Sequence, residues 1–228
     1  MRVISKIFLT FAVFSPPPLK RAIYRKIFGY EIADNAKIGF SFIYCDKLVL
    51  GQHSRIGHFS AFRNLKSLVL EEHASIGNLN WVTHSRTFPS SDNRNRGIAT
   101  DLPRGRLTLL RHSAVTNRHY LDVQAEIVIG EYSTMAGVRT TVLTHSINIF
   151  SNRQEVGSIR IGSYCFIGSN SVILSGVSIC DKAVVGAGSV VCHSLADGAG
   201  VYAGSPAKMR KQLAGNEHYF NRVKGYVD

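Results

Sequence analysis

The chain has 228 residues, 45% of them hydrophobic, with 27 Lys and Arg against 15 Asp and Glu and a net charge of +12. That length favours one domain with appendages over a multidomain assembly. The charge favours anionic partners such as phosphorylated cofactors, acidic glycans or membrane phosphates, and with no aromatic-basic motif present no nucleic-acid partner is expected.

Residues 3–14 are apolar apart from Lys6 and too short for a membrane span of about 20 residues. Residues 19–29 place Leu19, Ile23 and Ile27 on one side and Lys20, Arg21, Arg25 and Lys26 elsewhere, which predicts an amphipathic basic helix ended by Gly29. Two uses suit residues 1–29: contact with a membrane surface, or a cap on the end of whatever fold follows.

From Ile32 an apolar residue returns every sixth position: Ile32, Ile38, Tyr44, Leu50, Ile56, Phe62, Leu68. The register then moves by two to Leu70, Ile76 and Val82, as an extra pair of residues at a corner would require. Residues 85–108 interrupt the pattern with a polar, arginine-rich stretch of the kind that is functional or solvated. Leu109, Val115, Leu121 and Ile127 resume it; Ile129, Met135, Thr141 and Ile147 follow after a second shift of two. A second break covers roughly 148–158.

The longest unbroken run is Ile161 to Cys192, with Ile161, Ile167, Ile173, Ile179, Val185 and Val191 in strict sixfold register. A helix needs apolar spacings of three and four, and a simple strand needs two. A period of six, three hexads to a turn, describes short strands coiling and stacking on themselves. The aliphatic residue points inward, and glycines at the corners supply unusual backbone angles. Cys165, Ser171, Val177, Ala183 and Ser189 are the small or β-branched residues four places on. The tail after Val191 reads as mixed and helical through about Tyr219. The expected partition is a basic segment 1–31, a coil domain 32–200 with the insertion 85–108, and a tail 201–228.

Cys45, Cys165, Cys180 and Cys192 form no CxxC pair and mostly occupy small-residue positions. They read as reduced packing thiols, in keeping with a cytoplasmic protein, peripheral on the inner face of the membrane if the N-terminal segment touches lipid.

The stretch Thr116 to His145, with Asn117, Leu121-Asp122, Ile129-Gly130-Glu131 and Thr144-His145, resembles the galactoside and maltose acetyltransferase branch of the hexapeptide-repeat acyltransferases. The likeness continues through the 161–192 run to AGSPAK at 203–208. Its context looks closest to bacterial polysaccharide O-acetyltransferases. The resemblance implies a left-handed parallel β-helix, all-β with helical segments at both ends, working as a homotrimer. It implies acetyl transfer from acetyl-CoA to a sugar hydroxyl, without a metal. His145 would be the general base, a role suited to imidazole near neutral pH. Asn117 and Asp122 would contact the acceptor, with His119 between them as an anion ligand or second base. Ser169 and Ala187 would line the acetyl-CoA groove, and Lys208, helped by Lys211 and Arg210, would meet its phosphates. Gly204 and Pro206 would shape the turn into the tail. Phe166 stands where many members carry Trp.

Three rivals remain open: an amino-sugar N-acetyltransferase, a zinc protein like the γ-class carbonic anhydrases, and a non-catalytic scaffold. His112, His119 and His145 lack the zinc-ligand spacing of the second. Retention of Asn117, Asp122 and His145 together speaks against the third.

Overall fold

The computed structural model of the protein describes residues 3–86 and 102–225, with side chains from residue 8 onward. The sixfold repeat closes into a triangular prism of short parallel strands, a left-handed parallel β-helix. Its first face stacks Glu31–Ile32, the far end of Phe42–Leu50, the far end of Ala61–Leu70, Arg106–Leu109, Ile127–Ile129, Ile159–Ile161 and Ser178–Ile179. The second face runs from Lys37–Ile38 to Gly200–Ala203. The third runs from the start of Phe42–Leu50 through Trp81–Thr83, Tyr120–Asp122 and Thr141–Leu143 to Val190–Val191.

Side chains align inward in columns from coil to coil, and the first face also carries a second one, Leu48, Leu68, Leu107, Ile127 and Ile159, all fully buried. The first column is Ile32, Leu50, Leu70, Leu109, Ile129, Ile161 and Ile179. In the 161–192 run all six aliphatic residues are 0–3% exposed. At about 1.5–3 kcal/mol for each such side chain removed from water, these columns hold the coils together. The five small positions are buried too.

Three positions differ from the sequence register. Ile43 fills the third column and pairs with Phe62, while Tyr44 is half-buried. The first coil turns this corner with one residue fewer than the next. Val142 replaces Thr141, because Thr134–Val138 slips register against Ala114–Asn117 between Met135 and Val138. Ile147 is 64% exposed. It lies in a hairpin, His145–Asn148 against Arg153–Val156, that leaves the prism with Ile149 and Phe150 exposed at its tip. The shift of two between Leu68 and Leu70 falls within one strand, Ala61–Leu70, where both are buried.

Corner chemistry also departs from expectation. Glycines such as Gly176 and Gly188 take left-handed angles as expected, but along one corner the position is held by His53, His73, His112, Tyr132 and Tyr164, all near φ +57 to +59°. Their rings stack 4.6–4.8 Å apart, the spacing of the strands beneath them. Glycines after the core aliphatics serve another need. A Cβ on Gly130 would lie 2.4 Å from Gly162 backbone atoms of the next coil.

Two helices, α1 (Val3–Phe14) and α2 (Pro17–Phe28), cap the first coil, burying Leu9, Ala12, Ile23 and Tyr24. Gly29 ends α2 at φ 69°. The tail is not helical as expected, apart from one 3₁₀ turn, His218–Asn221. Lys208–Gln212 instead pairs antiparallel with Gly200–Ala203. The last strand of an open sheet leaves its backbone groups unpaired, and Gly204 with Pro206 turns the chain back to satisfy them. Of the insertion 85–108, residues 87–101 lie outside the described residues, and Arg106 already belongs to a strand. Burial pushes the Cys45 and Cys165 thiols up to about 12, so both remain protonated.

Candidate active site

Tyr120–Asp122 and Thr141–Leu143 lie side by side on the third face, and Asp122 faces Leu143 across the pair. The next residues of the second strand are Thr144, fully buried, and His145, where the hairpin begins. The Asp122 carboxylate is 2% exposed and meets His145 Nδ1 at 2.6 Å through Oδ2. Thr144 fixes that carboxylate: its N–H donates to Oδ2 at 3.2 Å and its hydroxyl donates to the Asp122 carbonyl at 2.8 Å. Ser175, one coil on, donates to the Thr144 carbonyl at 3.0 Å.

A carboxylate only accepts, so the proton of neutral His145 sits on Nδ1 and the basic lone pair on Nε2. The hydrogen bond to Asp122 raises the His145 pKa, partial burial opposes that, and the carboxylate charge adds to it. A half-buried imidazole oriented by a buried carboxylate is an arrangement able to accept a proton and hold the resulting charge. His84 stands nearby, 5% exposed, with Nδ1 3.2 Å from the Val123 carbonyl; burial lowers its pKa and keeps it neutral.

Asp122 is expected at the acceptor; in the structure its buried carboxylate is engaged by His145 and Thr144. His119, expected at the acceptor or as a second base, is enclosed in the structure. It is 1% exposed, its Nδ1 accepts from the Thr140 N–H at 3.1 Å, and its Nε2 lies 3.0 Å from Thr116 Oγ1. Burial drives its pKa down to about 4. It occupies an inward corner position that Ser41, Ser60, Asn80, Thr140, Ser171 and Ser189 take in other coils, all buried. Asn117 lies at the same corner, half-buried, and its Oδ1 accepts from the Asn78 N–H at 2.8 Å. Its carbonyl oxygen thus caps a neighbouring coil.

Two residues passed over in the sequence stand beside the His145 dyad. Trp81 and Tyr120 are register partners on the third face, 50% and 39% exposed. Tyr120 lies two residues before Asp122, about 7 Å along the strand and on the same side. The signal was available: each is the outward neighbour of a core residue, Val82 or Leu121, where alternation predicts a polar side chain.

Ser169 and Ala187 occupy equivalent places on successive coils, at the corner between the second and third faces. The Gly188 N–H donates to the Ser169 carbonyl at 2.8 Å, and Ala187 is exposed. Ser175 is on the same coil as Ser169 but at the far edge of the third face, six residues on, a span of at most about 20 Å. Within one chain, then, Ser169 and Ala187 border one edge of the third face and His145 the other. Lys208, Arg210 and Lys211 are exposed on the terminal strand. Phe166 lies on the second face, where the Tyr219 ring meets it edge-on at 5.9 Å. It anchors the tail rather than any group near His145.

His112 belongs to the stacked corner, His119 to the buried one and His145 to Asp122, so the three histidines do not converge. Among the described residues no group of three His, Cys, Asp or Glu side chains is placed to hold a metal.

The model of the hexapeptide repeat of succinyl-transferase matches residues 158–192. A protein of Bacillus subtilis (strain 168) described as "Putative acetyltransferase YvoF" is 42% identical over 77 residues, 34% of this chain. The chain spans 43% of that relative's length. Among solved structures, the hexapeptide-repeat acetyltransferase VCA0836 from Vibrio cholerae is 18% identical over 93% of this chain and 90% of its own, with a TM-score of 0.47. The polysialic acid O-acetyltransferase OatWY is 16% identical over 80% of this chain and 84% of its own, with a TM-score of 0.46. By its own sixfold columns the chain has the left-handed parallel β-helix fold, and within it residues 158–192 match the hexapeptide repeat.

Proposed function

We propose that the protein is an acetyl-CoA-dependent O-acetyltransferase acting on a sugar hydroxyl, in a surface polysaccharide, lipopolysaccharide or lipid-linked precursor. The observation that carries this reading is the 2.6 Å contact between His145 and buried Asp122. It is supported by the matched repeat and by the acetyltransferase named for the relative over 77 residues.

His145 Nε2 takes the proton of the acceptor hydroxyl as its oxygen attacks the thioester carbonyl carbon. Asp122 stabilises the imidazolium formed. As the carbon–sulfur bond breaks, the same imidazolium returns the proton to the departing thiolate, so no covalent enzyme intermediate is needed. Ser169 and Ala187 line the donor groove, and Lys208 and Lys211 meet the donor phosphates. Trp81 and Tyr120 offer the acceptor a flat apolar surface of the kind sugar rings stack on. The donor residues and His145 border opposite edges of one face. A donor groove that faces His145 is therefore built from two neighbouring copies, as in a homotrimer.

His145→Ala is expected to remain folded and to lower kcat/KM by about 10²–10⁴. Thiol release from acetyl-CoA with a panel of sugars and lipid-linked glycans measures it. Wild-type turnover by the variant would overturn the assignment.

A further inference from the structure

At the capped end, a pocket of about 800 Å³ opens where α2 leans on the first two coils. Lys20 and Arg21 of α2 line it with Lys37, Arg55, His53 and His58. Lys37 and Arg55 are exposed register partners on the second face, one strand spacing apart. Like charges placed directly opposite weaken a sheet, and neither side chain forms an ion pair among the described residues. The one carboxylate in the lining, Asp34, is engaged by Arg25 at 2.8 Å. Lys20 is 3% exposed. Its Nζ donates to the Gly39 carbonyl at 2.8 Å and sits 5.1 Å from the centre of the Phe40 ring, with no carboxylate paired to it among the described residues.

Aromatic rings adjoin this pocket at His58. Phe14 stacks on Phe40 at 6.5 Å, Phe40 meets His58 at 5.2 Å, and His58 meets Phe59 at 6.0 Å. Phe14 is 73% exposed and Phe59 68%. A free anion would use the basic pocket but would give these rings no role. A cationic cluster joined to exposed aromatic rings is the pairing that holds proteins at a lipid interface.

We propose that this end of the molecule binds the phosphate head group of an anionic membrane lipid. Lys37, Arg55 and Arg21 contact the phosphate oxygens, and Phe14 and Phe59 enter the acyl boundary. The site lies on the first two coils, away from His145, and does not depend on the acetyl-transfer reading.

The test is flotation of the full chain with vesicles of phosphatidylcholine alone or with roughly one-third phosphatidylglycerol, with glycerol phosphate and inorganic phosphate as soluble probes. Anionic vesicles are expected to retain the protein about tenfold or more above neutral ones, and less as salt rises. The pair Lys37→Glu and Arg55→Glu should abolish that difference, and the milder pair Lys37→Gln and Arg55→Gln should reduce it, with melting unchanged in both. Phe14→Ser with Phe59→Ser should weaken vesicle binding while leaving glycerol phosphate binding intact. Equal binding to neutral and anionic vesicles, wild-type retention by the charge-altered chains, or binding confined to the soluble phosphates would each overturn the proposal.

Discussion

Asp122 and His119 lie three residues apart, and their surroundings give them opposite parts. Asp122 turns its carboxylate to a half-buried imidazole and raises that imidazole's pKa. His119 is enclosed, with both ring nitrogens engaged, and its pKa falls to about 4. The hydrogen bond to Asp122 favours the charged form of His145, whereas burial favours the neutral form of His119. Since His145 is stabilised in its charged form when folded, its contribution to stability is full below the unfolded histidine value, near 6.5. It fades as pH rises through the raised folded value. A general base must be unprotonated, so the acid limb of kcat/KM should lie above the usual histidine range. Asp122→Asn removes both the hydrogen bond to a charged partner and the preferred tautomer. It is expected to move that limb to lower pH and to reduce kcat/KM by about 10²-fold or more. A pH–rate profile unchanged in the variant would show that Asp122 does not act through His145.

Among elements, the coil is governed by close approach as much as by burial. Gly130 and Gly162 stack with no room for a side chain between them. Gly130→Ala would force the two coils apart against rigid backbone, and we expect a loss of about 1–3 kcal/mol of stability. Reversible denaturation measures it, and a change under about 0.5 kcal/mol would mean the coils can slide. The regular 161–192 run was legible because every hexad repeats one volume and one direction. Tyr44, Thr141 and Ile147 were misplaced because a corner one residue short, a slip within Thr134–Val138 and a departing hairpin each alter the count without altering composition. The tail was misread as a helix because its strand is induced by the open edge of Gly200–Ala203, a partner local pattern does not reveal.

Across the molecule, the cap and the coils divide the charge. The basic residues of α2 meet those of the first coils at one end, and Lys208, Arg210 and Lys211 lie exposed at the other. Between them, His145 and the proposed donor corner lie on opposite edges of one face. This arrangement gives the assembly prediction its content: the active species should be a trimer by light scattering. Inactive His145→Ala chains mixed with chains altered at Ser169 and Ala187 should regain partial activity, because a mixed assembly can unite one intact half-site from each. A fully active monomer would refute the shared site.

Sequence alone determined the coil, the inward columns of the long run, the buried small residues and the choice of His145 as the residue to watch. The first three follow from a short period that each hexad satisfies locally, and the last from the family resemblance of the Thr116–His145 stretch. Only the tertiary structure decided that Asp122 meets His145, that His119 is buried, that Phe166 packs against the tail, and that Trp81 and Tyr120 are exposed partners on the same face. Each of those depends on which coil lies above which, and insertions of variable length decide that. The Ile161–Cys192 run therefore announces the fold, while the site forms one coil earlier, where the repeat is broken and the chain leaves the prism.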